Sequence, residues 1–395
     1  MISEALRGIR VVDLSRILAG PWCTQNLADL GAEVIKIERP GVGDDTRAWG
    51  PPFLDALEGQ EQMSAYFMCC NRNKKSVCLD FKDANGHQAL MALIQNADII
   101  VENYRTGTLK QYALDYESIK AVNPSIIYLS ITGYGQDGPK ADRPGYDYIF
   151  QGQGGLMSYT GRADGEPGSG PLRAGVAVVD ITTGMYATSA VLAALFQRDR
   201  TGKGAHLDIA LMDVAVAMNA NQAANYLVSG TNPVRTGNAH PNLAPYEVFM
   251  AADGYFILAV GNDSQFARLC ELIDKPNLAT DDRFATNAGR LVNLQLLRNE
   301  LTDAFVGMSR EQWGEKFKAA GISWGRVNSL EEVFEDEQVM HRQMVLASSH
   351  PRYGEVKLVR NPMNSDPASR AHLTSAVPIL GEHTEEVLRM TRNTK

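Results

Sequence analysis

Asp180 is the side chain of this sequence best placed to do covalent chemistry. It lies near the start of a long apolar segment, Gly175-Val176-Ala177-Val178-Val179-Asp180-Ile181-Thr182-Thr183-Gly184-Met185-Tyr186, and no lysine or arginine occurs within six residues on either side. A carboxylate at the beginning of a helix either accepts a backbone N–H bond as a cap or acts as a nucleophile that the positive end of the helix keeps ionised. The local sequence favours the cap, because most aspartates at helix starts have only that role.

The elements that must position Asp180 alternate between strands and helices. Runs of β-branched residues predict strands at 9–14, 34–38, 98–101 and 126–131, and apolar periodicity predicts helices at 20–30, 85–96 and 114–122. A glycine-rich stretch from 133 to 184 leads to a helix ending at Arg198, a strand at 206–210 and a helix at 211–228. Because parallel strands need crossover connections, this alternation predicts an α/β fold with an open, mostly parallel sheet and helices on both faces.

The composition changes near residue 229, where a linker-like stretch begins. Two apolar runs at 246–250 and 255–260 flank Ala251-Ala252-Asp253-Gly254, which is a hairpin signal, and three helical patterns follow. We therefore predict a large domain built from residues 1–228 and 325–395, with a smaller α+β domain at 229–324 between the two parts.

Charge and cysteine content exclude several classes of protein. The net charge of the 395 residues is −8 and no basic block occurs, which argues against nucleic-acid binding. The five cysteines are odd in number and lack metal-binding spacing, so we expect free, buried thiols in a reducing cytoplasm and no metal site. No signal peptide is evident, and the longest apolar run, 187–196, is shorter than the roughly 20 residues of a membrane span. We expect a soluble cytoplasmic protein without a membrane partner.

A dinucleotide site is disfavoured by the first turn of the chain. Glu38 ends the second predicted strand, where a ribose-binding acid would lie, but the turn Ser15-Arg16-Ile17-Leu18-Ala19-Gly20-Pro21 lacks G-x-G-x-x-G. Without those glycines the backbone cannot approach a pyrophosphate closely.

Several motifs together resemble the family III CoA-transferases, over residues 8 to 388. The motifs are Asp13-Leu14-Ser15-Arg16-Ile17-Leu18-Ala19-Gly20-Pro21, Leu30-Gly31-Ala32-Glu33-Val34-Ile35-Lys36-Ile37-Glu38-Arg39, Asn71-Arg72-Asn73-Lys74-Lys75-Ser76, Val101-Glu102-Asn103-Tyr104, Thr132-Gly133-Tyr134-Gly135, the Asp180 segment and Leu380-Gly381-Glu382-His383-Thr384. The resemblance implies a large Rossmann-like domain from both chain ends, a small middle domain and an interlocked homodimer. Members move coenzyme A between carboxylic acids or racemise 2-methylacyl-CoA thioesters. In the transferases the aspartate at the position of Asp180 is the nucleophile.

The implied chemistry uses acyl-CoA and carboxylic acid substrates and no prosthetic group or metal. Attack of the aspartate on a thioester gives an aspartyl anhydride, and returning CoA thiolate converts it to an aspartyl-CoA thioester. Each attack creates an oxyanion that needs backbone N–H donors, for which the region of Gly237 and Asn238 is a candidate.

The resemblance also implies a set of CoA-binding residues. These are Leu18, Ala19, Arg39, Leu79, Lys82, Asn103, Gly145, Tyr146 and Asp147. On charge grounds, the phosphates could also meet Arg72, Lys74, Lys75 and Arg105, although solvated surface charge is an equally good interpretation of each.

Tyr146 favours a transferase over a racemase. Racemases of the family place at this position a histidine that removes and returns the α-proton, and tyrosine is a poor base at neutral pH. The chain has Leu18 where formyl-CoA:oxalate transferases have glutamine, and 235–242 replaces their glycine run. There His240 either holds a substrate carboxylate or is a surface histidine.

The 235–242 segment and 41–52 look more like the succinyl-CoA:dicarboxylate branch, such as the glutarate or citramalate transferases. We predict transfer from succinyl-CoA to a dicarboxylate. A 2-methylacyl-CoA racemase and a non-catalytic CoA-binding protein are the alternatives.

Overall fold

The computed structural model describes residues 2–363 and 375–392, which form two compact units. The first unit contains the described residues of Met1–Leu156, Arg173–Ala224 and Glu337–Lys395, and the second contains Met157–Leu172 and Asn225–Asp336.

A six-stranded parallel sheet forms the centre of the first unit, so the α/β prediction is confirmed. The strands of this unit are β1 (Arg10–Asp13), β2 (Glu33–Glu38), β3 (Phe53–Asp55), β4 (Gln62–Ser64), β5 (Lys74–Cys78), β6 (Ile99–Glu102), β7 (Ile127–Thr132), β8 (Ala205–Ala210), and, further along the chain, an antiparallel pair at Val345–His350 and Gly354–Val359. The spatial order in the sheet is β5-β2-β1-β6-β7-β8, and β3 pairs with β4 in a separate hairpin.

The order of the strands creates a switch point between β1 and β6. From β1 the chain moves outward to β2 and β5 on one side, then returns to place β6, β7 and β8 on the other. In open parallel sheets, ligands bind beyond the carboxyl ends of the strands at such a point. The loops after β1 and β6 are therefore the expected walls of a ligand site.

Helices cover both faces of the sheet. In the first unit they are α1 (Ala19–Asp29), α2 (Ala65–Met68), α3 (Ala84–Gln95), α4 (Tyr116–Val122), α5 (Asp147–Gln153), α6 (Leu156–Tyr159), α7 (Val178–Thr201), α8 (Leu211–Ala217) and α9 (Ala220–Ser229), the last two of which replace the single predicted helix at 211–228. Ala220 has a φ of 40°, a left-handed value that separates α8 from α9. Helices α6 and α9 each extend into the second unit.

Helix α7 is the longest helix of the described chain and packs against α1 in the apolar core. Among the described helices it is the only one whose length and composition would suffice to cross a membrane. A core helix of a globular protein satisfies the same test, and Val179, Ala187 and Val191 of α7 are fully buried against the sheet.

The second unit has a three-stranded antiparallel sheet. Its strands are β9 (Tyr246–Ala251), β10 (Gly254–Ala259) and β11 (Ser323–Arg326), and β9 and β10 form the predicted hairpin. Its further helices are α10 (Asp263–Leu272), α11 (Asn287–Val292), α12 (Leu294–Phe305), α13 (Arg310–Ala319) and α14 (Leu330–Glu335). Aromatic rings fill its core, where Phe305 packs edge-on against Trp313 and Phe256.

The chain returns to the first unit after α14. There it forms α15 (Glu337–His341), then β12 (Val345–His350) and β13 (Gly354–Val359), and its last described helix is α16 (Thr384–Arg392).

Candidate active site

A cleft lies at the switch point of the sheet and contains Asp180. Its walls come from the loop after β1, the loop after β6, the end of β7 and the segment before α5. The lining residues are Arg16, Ile17, Leu18, Ala19, Asn103, Tyr104, Arg105, Thr106, Ile131, Thr132, Gly133, Ala141, Arg143, Pro144, Gly145, Tyr146, Asp180 and Leu211. The fold thus brings six of the predicted ligand-binding residues into the same cleft as Asp180, namely Leu18, Ala19, Asn103, Arg105, Gly145 and Tyr146.

A different aspartate caps the helix that carries Asp180. Asp180 is the third residue of α7, and the N-cap Ala177 has no side-chain acceptor. The carboxylate of Asp147 accepts hydrogen bonds from the N–H groups of Val179 at 2.7 Å and Asp180 at 3.2 Å. Because Asp147 binds these donors, the interpretation of Asp180 as a cap is wrong.

Both carboxylate oxygens of Asp147 are occupied within the protein. Besides capping α7, Asp147 accepts a 2.6 Å hydrogen bond from Nε2 of Gln151, whose Oε1 accepts from Ala174 N at 2.8 Å. Asp147 is also buried. The Asp147 side chain therefore caps α7 and is not among the residues that line the cleft of Asp180, so its part in CoA binding stays a prediction.

The environment of Asp180 favours the neutral acid more than the sequence suggested. Burial raises the pKa of Asp180 to about 7, and the negative charge of Asp147 adds to this effect. We expected the helix N-terminus to keep Asp180 ionised at neutral pH. That expectation overlooked Asp147, whose carboxylate occupies the same helix end. When it does ionise, a poorly hydrated carboxylate of raised pKa is a stronger base and nucleophile.

The beginning of α1 supplies backbone donors in the same cleft. Within the described chain, no acceptor pairs with the N–H groups of Leu18 or Ala19. Gly184 lies one turn beyond Asp180 in α7, and a Cβ there would come within 2.8 Å of the carbonyl oxygen of Ala19. Glycine at this position therefore lets α7 approach the start of α1 closely enough to bring the carboxylate and the N–H donors into one site.

Tyr66 is a neighbour of Asp180 that sequence reasoning missed. It lies in the single-turn helix α2, and its ring packs edge-on against Trp49 with 5.1 Å between centroids. Burial raises the pKa of the Tyr66 phenol, and the charge of Asp180 is the next cause. No local pattern marks this residue, because α2 is only one turn long and lies far from Asp180 in sequence.

A second cleft adjoins the first and contains the predicted residues Arg39, Leu79 and Lys82. Arg16 and Tyr104 line both clefts, so the two are contiguous along the carboxyl edge of the sheet. Arg39 and Lys82 are exposed and Leu79 is buried. Two cations beside an apolar wall suit the phosphates and adenine of a nucleotide.

Asn103 fixes the loop that separates the two clefts. Its Oδ1 accepts from Arg16 N at 2.9 Å and its Nδ2 donates to Arg16 O at 2.7 Å. Arg105 is exposed, and its Nη2 donates to Asp142 O at 2.7 Å. Asn103 therefore shapes the cleft wall, while Arg105 keeps further donors for a ligand.

Arg72 and Lys75 are not brought to either cleft. Arg72 is buried and forms a two-point ion pair with Asp29, at 3.0 Å from Nε and 2.5 Å from Nη2. Lys75 pairs with Glu33 at 3.0 Å and Glu386 at 2.9 Å. Their assignment to CoA phosphates is corrected to structural ion pairs, because their charges are already neutralised by carboxylates.

Gly237, Asn238 and His240 lie in the second unit. The N–H of Gly237 donates to Gly161 O at 3.1 Å, so this group is not a free oxyanion donor. The role of Asn238 stays a prediction. His240 is half-buried, stacks on Tyr246 with 5.1 Å between centroids, and accepts at Nδ1 from Asn242 N at 3.1 Å. Its Nε2 has no recorded partner among the described residues.

The five cysteines are free, but they are not all buried. Cys23, Cys70 and Cys270 are buried, Cys78 is half-buried and Cys69 is exposed. The expectation of buried thiols is therefore wrong for Cys69, which follows α2 at the surface of the unit.

Comparisons with known proteins agree with this site. The family model described as CoA-transferase family III matches residues 6–384. The chain belongs to this family and is an enzyme of the CoA-transferase class.

Two relatives and one solved structure are similar over nearly the whole chain. Succinate–glutarate CoA-transferase of Agrobacterium fabrum is 45% identical over 383 residues, covering 97% of this chain and 94% of that protein. Succinyl-CoA:glutarate CoA-transferase of Mus musculus is 42% identical over 386 residues, covering 98% of this chain and 86% of that protein. The crystal structure of a CAIB/BAIF family protein from Brucella suis has a TM-score of 0.87 at 45% identity, covering 98% of this chain and 99% of that chain.

Proposed function

We propose that the protein transfers coenzyme A from succinyl-CoA to glutarate or a dicarboxylate of similar length, with Asp180 as the nucleophile. The observation that carries the proposal concerns Asp180, whose carboxylate does not cap its helix and is poorly solvated. The same cleft also contains the unpaired N–H groups of Leu18 and Ala19. The names of the relatives from Agrobacterium fabrum and Mus musculus support succinate and glutarate as the acids.

The reaction proceeds through two covalent states of Asp180. The Asp180 carboxylate attacks the thioester carbon of succinyl-CoA and the C–S bond breaks. CoA thiolate is released, and Asp180 becomes an aspartyl–succinyl anhydride. The thiolate then attacks the aspartyl carbonyl, the anhydride C–O bond breaks, and succinate departs from an aspartyl-CoA thioester. Glutarate repeats these two steps in reverse and leaves as glutaryl-CoA. Each step exchanges activated acyl groups of similar energy.

The residues of the cleft support each step. Each attack places a negative charge on a carbonyl oxygen, and the N–H groups of Leu18 and Ala19 are the unpaired donors that line the same cleft as Asp180. The adjoining cleft with Arg39 and Lys82 suits the phosphates of CoA. Binding of the phosphates there would keep CoA in place while its sulfur is transferred between acyl groups.

A racemase is supported less well by the same cleft. Racemisation needs a base on each face of the α-carbon. Among the described lining residues no histidine occurs, and Tyr146 occupies the predicted position. We propose a transferase for this reason.

We also propose a cytoplasmic homodimer. Helices α5 and α7 of the first unit expose several large apolar side chains, namely Tyr148, Ile149, Met185, Tyr186 and Phe196. Exposed apolar surface of this kind is typical of an interaction surface. Light scattering that reports a monomer at micromolar concentration would contradict the dimer.

The test of the proposed function is a matched pair of aspartate variants. Asp180 and Asp213 are both the third residue of a helix with an alanine N-cap and no side-chain cap. We expect Asp180→Asn to lower kcat for CoA exchange between succinyl-CoA and glutarate by about 10⁴-fold or more, and Asp213→Asn to leave it within about twofold. Undiminished exchange by Asp180→Asn would reject the proposal. Solvent deuterium entering the α-carbon of an acyl-CoA without acid exchange would establish the racemase.

A further inference from the structure

The loop that leads into α1 contains a strained residue. Ile17 has a φ of 72°, in the left-handed region that a β-branched side chain rarely occupies. Residues in such conformations persist only where their surroundings hold them, and they cluster at functional sites. Ile17 directly precedes Leu18, whose N–H is unpaired in the cleft.

Side chains bind the backbone N–H and C=O groups of residues 15–17 in this loop. Ser15 N donates to Asp13 Oδ1 at 2.9 Å, and Ser15 O accepts from Lys36 Nζ at 3.0 Å. Ile17 N lies 3.3 Å from both carboxylate oxygens of Asp44. Asn103 binds both backbone groups of Arg16, and the Cys70 thiol approaches Ile17 O at 3.6 Å. Apart from the local bond between Ser15 and Asp13, side chains distant in sequence therefore hold this loop in place.

Lys36 and Asp44 are the charged pair in this arrangement. Their side chains are fully buried, and Lys36 Nζ lies 2.8 Å from Asp44 Oδ2. Asp44 is fixed in turn by Thr46, whose N–H and hydroxyl donate to Oδ1 at 3.0 and 2.8 Å. A buried ion pair gives little net stability compared with apolar side chains of the same volume, so its retention calls for another reason.

We propose that Lys36 and Asp44 are positioning residues that hold Ile17 in its left-handed conformation and thereby aim the N–H groups of Leu18 and Ala19 at the reacting carbonyl. Lys36 donates a hydrogen bond to Ser15 O, two residues before the strained position, and Asp44 accepts one from the N–H of Ile17 itself. The inference rests on the proposed function, because it assumes that these N–H groups bind the oxyanion.

A second buried ion pair provides a matched control. Asp29 is buried like Asp44 and pairs with Arg72, but it contacts no residue of the loop. Asp44→Asn and Asp29→Asn therefore remove the same charge from the same unit, and only Asp44→Asn loosens Ile17. A general loss of stability would affect both variants alike.

The test compares kcat and KM for succinyl-CoA at a temperature where each variant is folded. We expect kcat to fall about 100-fold in Lys36→Met and about 10-fold in Asp44→Asn, with KM changed less than about threefold, and Asp29→Asn to keep kcat within about twofold. Lys36 and Asp44 also line the adjoining cleft. A raised KM with unchanged kcat would mean that they serve CoA binding only, and would overturn the proposal.

A double-mutant cycle tests the strain directly. Glycine adopts a φ of 72° without penalty. In an Ile17→Gly background, Lys36 and Asp44 therefore have less backbone strain at position 17 to offset. We expect Lys36→Met to lower kcat in both backgrounds, but the fold-decrease should be at least about 10 times smaller in the Ile17→Gly background than in the native chain. Equal losses in both backgrounds would contradict the positioning role. Should Lys36→Met not fold, the same cycle with Asp44→Asn decides the matter.

Failure of this inference is distinguishable from failure of the proposed function. If Asp180→Asn abolishes exchange while Lys36→Met and Asp44→Asn keep the native kcat, the positioning role is wrong and the nucleophile stands. If Asp180→Asn remains active, the proposed function itself is wrong.

Discussion

A single row of buried side chains crosses one face of the central sheet and changes character at its middle. On one side the row contains Ser76, Lys36 and Asp13, and on the other it continues with Val101 and Leu129. The apolar half needs only close packing. The charged half needs a partner for every ion, and it lies beneath the loop that lines the cleft. The difference suggests that the apolar half stabilises the fold while the charged half shapes the site.

A second contrast separates two carboxylates, the buried one of Asp44 and the partly buried one of Asp180. Burial alone would raise the pKa of Asp44, but Lys36 and the donors of Thr46 hold the pKa of that carboxyl down at about 2. Asp180 has no such partner among the described residues, and its pKa is raised to about 7 by burial and by Asp147. The paired acid is fixed in place by its partners, and the unpaired acid is available for chemistry.

The largest stability effect should come from breaking the charged half. Lys74 is buried and binds Asp13 Oδ2 at 3.2 Å, Asn71 Oδ1 at 2.9 Å and Pro21 O at 3.0 Å. Lys74→Met leaves the carboxylate of Asp13 with a weaker set of partners, so we expect a loss of about 3–5 kcal/mol in the free energy of unfolding. Urea denaturation of the native protein and the variant measures this change in the free energy of unfolding. The adjacent Lys75→Met, at a partly exposed pair, should lose only about 1 kcal/mol or less.

Truncation in the apolar half should lower stability without lowering the rate. Leu129 is fully buried in the core. We expect Leu129→Ala to reduce the free energy of unfolding by about 3 kcal/mol through a cavity, and to keep kcat within about twofold below the unfolding transition. A tenfold fall in kcat for the folded variant would erase the proposed division between the halves.

Removing the unpaired acid should stabilise the fold at high pH. The folded-state pKa of Asp180 lies above its unfolded value, so the native protein loses stability as pH rises from about 4 to 7. Asp180→Asn removes this pH-dependent loss of stability, because asparagine does not ionise. We expect it to raise the free energy of unfolding by about 1–3 kcal/mol at pH 8, after allowance for partial exposure, and to change nothing at pH 3. Equal effects at both pH values would show that the raised pKa is not the cause.

The smallest predicted effect is on the pH profile of exchange. Because Asp180 must be ionised to attack, kcat/KM should rise with pH, with an inflection near 7. In Asp147→Asn a negative charge beside Asp180 is lost, so the inflection should move to lower pH. An unchanged inflection in this variant would mean that a different group controls the profile.

The sequence predicted the fold well where side chains follow an apolar pattern. Strands β6 and β7 were recognised because most residues in them are apolar or aromatic. Strand β5 was missed because Lys74 and Lys75 look like surface residues, and the partner that buries Lys74 is Asp13, sixty-one positions earlier. Local patterns carry no information about such pairs, which are formed only when β1, β2 and β5 assemble.

The candidate site was predicted in part. Asp180 and the residues around Leu18, Asn103 and Gly145 meet in one cleft, as the resemblance implied. Sequence reasoning could not separate Asp147, which caps α7, from a ligand contact, and it found no signal for Tyr66. Both roles depend on which elements pack beside Asp180, and that is decided by tertiary structure.

The most direct test of the account is to find the covalent intermediate on Asp180. The tryptic peptide spanning 174–198 contains a single carboxylic side chain, that of Asp180. Protein treated with hydroxylamine in the presence of succinyl-CoA should yield this peptide with a hydroxamate on Asp180, and protein treated without the thioester should not. An unmodified peptide from enzyme that is turning over under these conditions would contradict the role of Asp180 as the nucleophile.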